Sequence, residues 1–312
     1  MFSIISPPEP RFDNDVEGER RHGSKQKDAM DFDFDDSENV TSPGQFITSS
    51  TAFMRGHGTY VDQEEVLASV AGTIERVNKL VSVRPLKSRY TGEIGDLVIG
   101  RITEVVAKRW KVDVFGRNEG VLMLSSVNLP GGVQRRKLES DELQMRTFFE
   151  EGDLLVAEVH QFFGDGSISL HTRSLRYGKL RNGQLVTVSP MLIRRLKSHF
   201  VALYCGVDLI IGMNGFIWVS KHAKEFEGQS EEGFEAQAVY SNKNDDIDGP
   251  TRTAISRVTN IIRILSRHSI PLTDSIIAQA YDWAMEQDNT EVKEMLVDDY
   301  GEQMVHALFA FR

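Results

Sequence analysis

The sequence predicts a mainly β protein that ends in an α+β domain. Three observations carry this. Between residues 51 and 220, short apolar runs of strand length recur, each bounded by Gly, Asn or Asp turn signals. After residue 250 the apolar spacing changes from period two to the period of a helix. Residues 1–50 show neither pattern.

Residues 1–50 hold eleven acids, five bases and few aliphatics. They read as an acidic, disordered tail. Its "DFDFDDSE" alternates acid with Phe32 and Phe34, which are either solvated or docked on a partner. Residues 51–90 read as a small β unit. "VLASVAGTIERVNKLVSVRPL" alternates at period two, with a hairpin turn at Asn78-Lys79. A unit this short needs outside support to be stable. Residues 91–173 contain five strand candidates: "GDLVIGRITEVV", "RWKVDVFG", "EGVLML", "EGDLLVAEVHQF" and "GSISLHTR". Five short strands in so little chain suggest a Greek-key barrel of the OB type. A polar insert carrying Arg135, Arg136 and Lys137 separates the third from the fourth. Residues 174–312 begin with the strands "QLVTVS", "FVALYCG", "VDLIIG" and "GFIWVS" and continue as helices. Ala254, Val258, Ile261, Ile262 and Leu265 share one helical face, with Thr251 the expected N-cap. Pro271 ends that helix, and Thr273 or Asp274 caps the next.

Of the 312 residues, 40% are hydrophobic and 26% charged. No apolar run reaches the roughly 20 residues of a membrane span, so no membrane partner is expected. "MFSIISPPEP" lacks the basic start and long apolar core of a secretory signal. The single cysteine, Cys205, excludes an internal disulfide and a structural zinc site and reads as a small buried hydrophobe. Cytosol or nucleus follows. The net charge of −10 hides a segregation: residues 173–199 carry seven Arg or Lys and no acid, whereas residues 200–312 carry nine bases and eighteen acids. Local clustering decides where phosphate binds.

No catalytic constellation is visible. The eight histidines show no ligand spacing, and Walker A and GxSxG patterns are absent. "DFDFDD" and "NDDID" could imitate an acidic metal cluster, but both fall in stretches read as disordered. No catalytic residue, metal or cofactor is expected.

Gly212-Met213-Asn214-Gly215 matches the GXXG with which KH domains clamp a nucleic-acid backbone. Its neighbours are strand-like, it carries no cation, and Asn-Gly is a strong hairpin signal. Gly212, Asn214 and Gly215 therefore read as a structural turn, with Trp218 and Phe216 buried near a domain junction and Met213 tolerant of replacement by Lys. The span 91–173 resembles an S1 RNA-binding domain through "GDLVIGRITEV", "VDV", "GVLMLSSV", "EGDLLVAEV" and "GSISLHTR". S1 domains that stack bases commonly place Phe-Gly-Ala-Phe before the "VDV" and a His in the third strand. Here Lys108-Arg109-Trp110-Lys111 and Met123 stand there. That departure implies backbone tracking with little base selection. Trp110 reads either as a rim ring or as one half packed into the barrel.

Taken together, "FMRGHGTY", "LPGGVQRRK", "DELQMR", "EGDLLVAEV", "LHTRSLRYGKLRNG" and "GMNGFIW" resemble the S1/KH cap subunits of the RNA exosome. The resemblance implies an N-terminal β unit, an S1 barrel and a divergent KH domain seated on a ring of RNase PH-like subunits beside other cap proteins. It implies a non-catalytic subunit that stabilises the ring and guides RNA to the pore, in nucleus and nucleolus and also in cytoplasm. Candidate RNA contacts are Lys108, Arg109, Trp110, Lys111, Arg135, Arg136, Lys137, Arg173, Arg176, Lys179 and Arg181. Arg55, His57 and Tyr60 are candidate ring contacts. The alternative is a free-standing S1/KH RNA-binding protein of translation or transcription; an intrinsic nuclease is a third, weaker reading.

Overall fold

The computed structural model describes residues 40–85, 87–127, 139–174, 176–222, 240–287 and 291–309. The tail phenylalanines Phe32 and Phe34, and the cluster Arg135-Arg136-Lys137, lie outside the described residues.

The N-terminal β unit starts at Val40, before the expected start at residue 51. Its strands are β1 (Val40–Thr41), β2 (Phe46–Ser49), β3 (Met54–Arg55), β4 (Thr59–Asp62), β5 (Glu65–Ala68), β6 (Gly72–Val77) and β7 (Leu80–Pro85). They form two small sheets, ordered β1-β6-β7-β3 and β2-β5-β4. Asn78, at φ 55°, turns the β6–β7 hairpin where Asn-Lys predicts it. Ile47, Ala68, Val81 and Val83 fill the space between the sheets. That core is small, and Phe46, Met54, Val77 and Leu80 remain exposed around it.

The five predicted barrel strands are present as β8 (Leu97–Val106), β9 (Arg109–Asp113), β10 (Gly120–Val127), β11 (Leu154–Phe162) and β12 (Ile168–Thr172). Antiparallel pairing links β10 to β9, β9 to β8 and β8 to β11, while β12 pairs with both β10 and β11 and so closes the barrel. Closure leaves alternate side chains inside: Val98, Ile102, Trp110, Val112, Leu122, Leu155 and Leu170. Two short helices, α1 (Glu139–Leu143) and α2 (Met145–Phe148), precede β11, and Phe148 and Phe149 cap the barrel core. A short strand β13 (Gly178–Lys179) then borders β11.

The last domain has the antiparallel order β14-β17-β16-β15, made of Gly183–Thr187, Phe216–Lys221, Val207–Ile211 and Phe200–Leu203. Three helices follow: α3 (Gly249–Arg267), α4 (Asp274–Glu286) and α5 (Asp298–Phe309). Ala254, Val258, Ile261, Ile262 and Leu265 of α3 are all buried against the sheet, as their spacing predicts. The expected N-cap at Thr251 is displaced to Asp248, whose side chain accepts from Thr251 N. Pro250 explains the shift: in the first helical turn its missing N–H costs nothing. Thr273 caps α4. The run Phe216–Val219 does not alternate because both sheet faces are covered. Ile217 and Val219 meet the helices, whereas Phe216 and Trp218 meet Leu97, Ile99 and Val156 on the outer wall of the barrel. No described helix is long and apolar enough to cross a membrane.

Candidate nucleic-acid interface

The GXXG turn is a hairpin loop. β16 and β17 pair up to Ile211↔Ile217, and Gly215 N donates to Gly212 O at 3.1 Å. Gly215 has φ +89°, and a Cβ there would lie 2.3 Å from Val188 O. Asn214 does not need a positive φ; it contributes through its side chain. It is wholly buried, and its Nδ2 donates to Ile99 O at 2.7 Å and Val114 O at 2.9 Å, while its Oδ1 accepts from Ile99 N at 3.3 Å. Met213 N donates to Leu97 O at 2.8 Å. The tetrapeptide thus fastens the last domain to the backbone of β8. Met213 is half-buried against the cores of both domains, which corrects the expectation that a lysine would be tolerated there.

A second tie joins the same two domains. Asp96 is buried at the barrel wall. Its carboxylate accepts from the Tyr90 hydroxyl at 2.7 Å and from Glu93 N at 2.9 Å, and is paired with Arg195 from beyond β14. Burial first, and then the bond to Asp96, push the Tyr90 phenol far above its usual value.

These ties redistribute the predicted cations. Lys179 is not available to RNA. Its side chain is 5% exposed, and its ammonium pairs with Asp153 at 2.5 Å and bonds Asn242. Severing a buried pair leaves an uncompensated charge, so phosphate cannot readily draw it away. Arg181 donates to Lys243 O at 3.3 Å. Trp110 is corrected too. It is wholly buried in the barrel, its indole N–H donates to Phe149 O at 3.2 Å, and its ring meets Phe149 edge-on at 5.5 Å. Strand alternation is the reason: Val112 points inward, so Trp110 does too, and Arg109 and Lys111 point out.

The outward cations remain accessible. Lys108 turns the β8–β9 hairpin and pairs with Glu142 of α1 at 3.1 Å. Lys111 pairs with Glu104 at 2.6 Å, and that bond raises its pKa. Both pairs are on the surface, where such pairs are worth about 0–1 kcal/mol, so a phosphate can compete for either cation. Arg109 is exposed beside them. Arg173 and Arg176 are exposed on the connection after β12, and the Arg176 guanidinium lies 5.6 Å over the Phe200 ring. Arg55, His57 and Tyr60 are exposed on the N-terminal unit, away from this cluster in sequence and sheet. Among the described residues, no three His, Cys, Asp or Glu side chains come together in a way that could hold a metal ion.

Motif reading singled out Asn214 as part of a structural turn but missed Arg195. Both act on partners about a hundred positions away, which no local pattern reveals. It also missed a row of rings: His160, His171, Tyr177 and Phe200. Period two along β11 and β12 does place His160 and His171 on outer faces.

Three family models match consecutive parts of the chain: the exosome complex exonuclease RRP4 N-terminal region over residues 40–77, the RRP4 S1 domain over 89–161, and a KH domain over 183–225. The exosome complex component rrp4 of Schizosaccharomyces pombe is 56% identical over 256 residues, covering 81% of this chain and 78% of that protein. The chain belongs to the Rrp4 family of exosome complex components. The Rrp4 protein of Bos taurus is 48% identical over 271 residues, covering 86% of this chain and 88% of its own, and that of Saccharomyces cerevisiae is 46% identical over 282 residues, covering 81% and 78%. Within the Rrp4 frame the barrel is the S1 domain and the last sheet with its helices is the KH domain. This KH domain carries its G-x-N-G between two strands rather than at a helix start, and spends it on the S1 contact.

Proposed function

We propose that this chain is a non-catalytic, RNA-binding cap subunit of an exosome complex, which stabilises a ring of RNase PH-like subunits and guides RNA into its pore. The observation that carries the reading is the unbroken order of RRP4 N-terminal, S1 and KH matches along one chain. The site chemistry supports it: exposed cations and rings suit a polyanion with stacking bases. Arg109, Lys108 and Lys111 serve the S1 side, and the exposed N-terminal unit, with Arg55, His57 and Tyr60, serves the ring.

The test is native mass together with RNA loading. The affinity-purified full chain should run in a particle of several hundred kilodaltons containing RNase PH-like proteins, far above its own 35.2 kDa. Within that particle, Lys108→Ala, Arg109→Ala and Lys111→Ala together should weaken loading of single-stranded RNA and flatten the dependence of log K on log salt by about 0.7 per lost contact. A species of the chain's own mass would refute the assembly. Magnesium-dependent degradation of RNA by the pure chain would refute the non-catalytic role.

A further inference from the structure

Along the S1–KH seam, four rings from four separate segments follow one another. His160 of β11 meets His171 of β12 at 5.6 Å between centroids, His171 meets Tyr177 at 6.5 Å, and Tyr177 stacks on Phe200 of β15 at 6.2 Å with planes 16° apart. The Arg176 guanidinium continues the row over Phe200. His160, Arg173 and Arg176 are exposed, and His171, Tyr177 and Phe200 are half-buried. Tyr177 and Phe200 pack partly buried against the apolar seam, which holds them in place.

We propose that this row is a base-stacking track that leads single-stranded RNA from the S1 wall onto the edge of the KH sheet. It deepens the RNA-binding reading above and rests on it. Ring faces and a guanidinium plane accept any base, so the track would bind without strong sequence preference. The surrounding charge favours a polyanion over a protein. Arg173 and Arg176 are exposed in the segment that joins His171 to Tyr177, and the Glu158 carboxylate accepts from the Tyr177 hydroxyl at 2.8 Å. The one ring between Lys108 and Lys111, Trp110, is wholly buried. The seam supplies rings at a different place.

The experiment uses the full chain and fluorescein-labelled 20-nucleotide oligouridylate and oligoadenylate, read by anisotropy across a salt series. His160→Ala with Arg176→Ala should weaken both oligonucleotides by about tenfold or more, and should flatten the salt slope by about 0.7. Restoring the charge in His160→Ala with Arg176→Lys should recover the slope but not the affinity. Thiouridine-substituted RNA should crosslink to the peptides holding His160 and Tyr177. A merely structural role would lower the melting temperature and leave slope and crosslinks unchanged, which overturns the proposal. If the wild-type chain binds RNA and the double variant binds equally well, the track is wrong and the RNA-binding reading stands. Recovery of a protein partner through these residues, with RNA affinity unchanged, also overturns the track. If the wild-type chain binds neither oligonucleotide, both readings fall.

Discussion

Replacing Asn214 should separate the two halves of the molecule more than any other single change at the seam. Its amide makes three hydrogen bonds to backbone atoms of β8 and of the β9 end, at 2.7, 2.9 and 3.3 Å, in a site with no solvent exposure. In Asn214→Ala, two carbonyls and one N–H lose these partners inside the protein. At about 1–2 kcal/mol each, the loss is roughly 3–6 kcal/mol. For a domain of this size, each kcal/mol moves the melting point by about 2–4 °C, so a fall of roughly 10 °C is expected. Asn214→Asp keeps the shape but turns the donor into a carboxylate oxygen facing Ile99 O and Val114 O. It should be at least as damaging at neutral pH, because it adds a buried charge to the lost bonds. Differential scanning calorimetry of the full chain checks both variants. If Asn214→Asp melts within about 2 °C of wild type, a shift too small for even one such bond, then the amide does not fasten the domains.

Gly215→Ala should also destabilise, by at least about 1 kcal/mol, since its φ is +89° and the new Cβ would press on Val188 O; urea midpoints measure it. Trp110→Ala should cost about 3–5 kcal/mol of stability as a core cavity. Trp110→Phe, by contrast, should leave RNA affinity unchanged in the anisotropy assay, because the ring never reaches solvent. Burial holds the imidazoles of His171 and His199 below their ordinary pKa; for His171 Glu158 opposes this while Arg173 and His160 add to it, and for His199 a hydrogen bond with the Ile211 backbone and the Asp96 charge oppose it while Arg195 adds to it. The folded state therefore binds fewer protons than the unfolded chain, and stability should be lost as pH falls below the unfolded histidine value of about 6.5. A His171→Asn, His199→Asn double variant should lose less of its melting temperature than wild type between pH 7 and about 5.5.

The barrel was legible because its strands alternate cleanly and its turns are marked by Gly, Asn and Asp. The GXXG hairpin was legible because Asn-Gly follows one apolar run and precedes another. Trp110 was left open between rim and barrel and counted among the RNA contacts because a cluster of cations drew the reading outward, although the alternation through Val112 puts the indole inside. Val40–Thr41 was lost in the tail because two residues cannot display a period. Lys179 looked like part of a basic patch because its partners, Asp153 and Asn242, come from a strand entry and a loop far along the chain. The row of rings escaped notice for a related cause: its members sit on different elements, and only folding brings Phe200 against Tyr177.

The KH sheet lies between its own helices and the barrel wall, with Phe216 and Trp218 in one layer and Ile217 and Val219 in the other. A sheet enclosed in this way has no free side on which to slide, and Asn214, Arg195 and Met213 pin it at separate points. The S1 and KH domains are in effect one casting with a fixed angle. Any strand that touches both meets groups whose separations were settled when the chain folded, so the ordering entropy of that encounter falls almost wholly on the ligand.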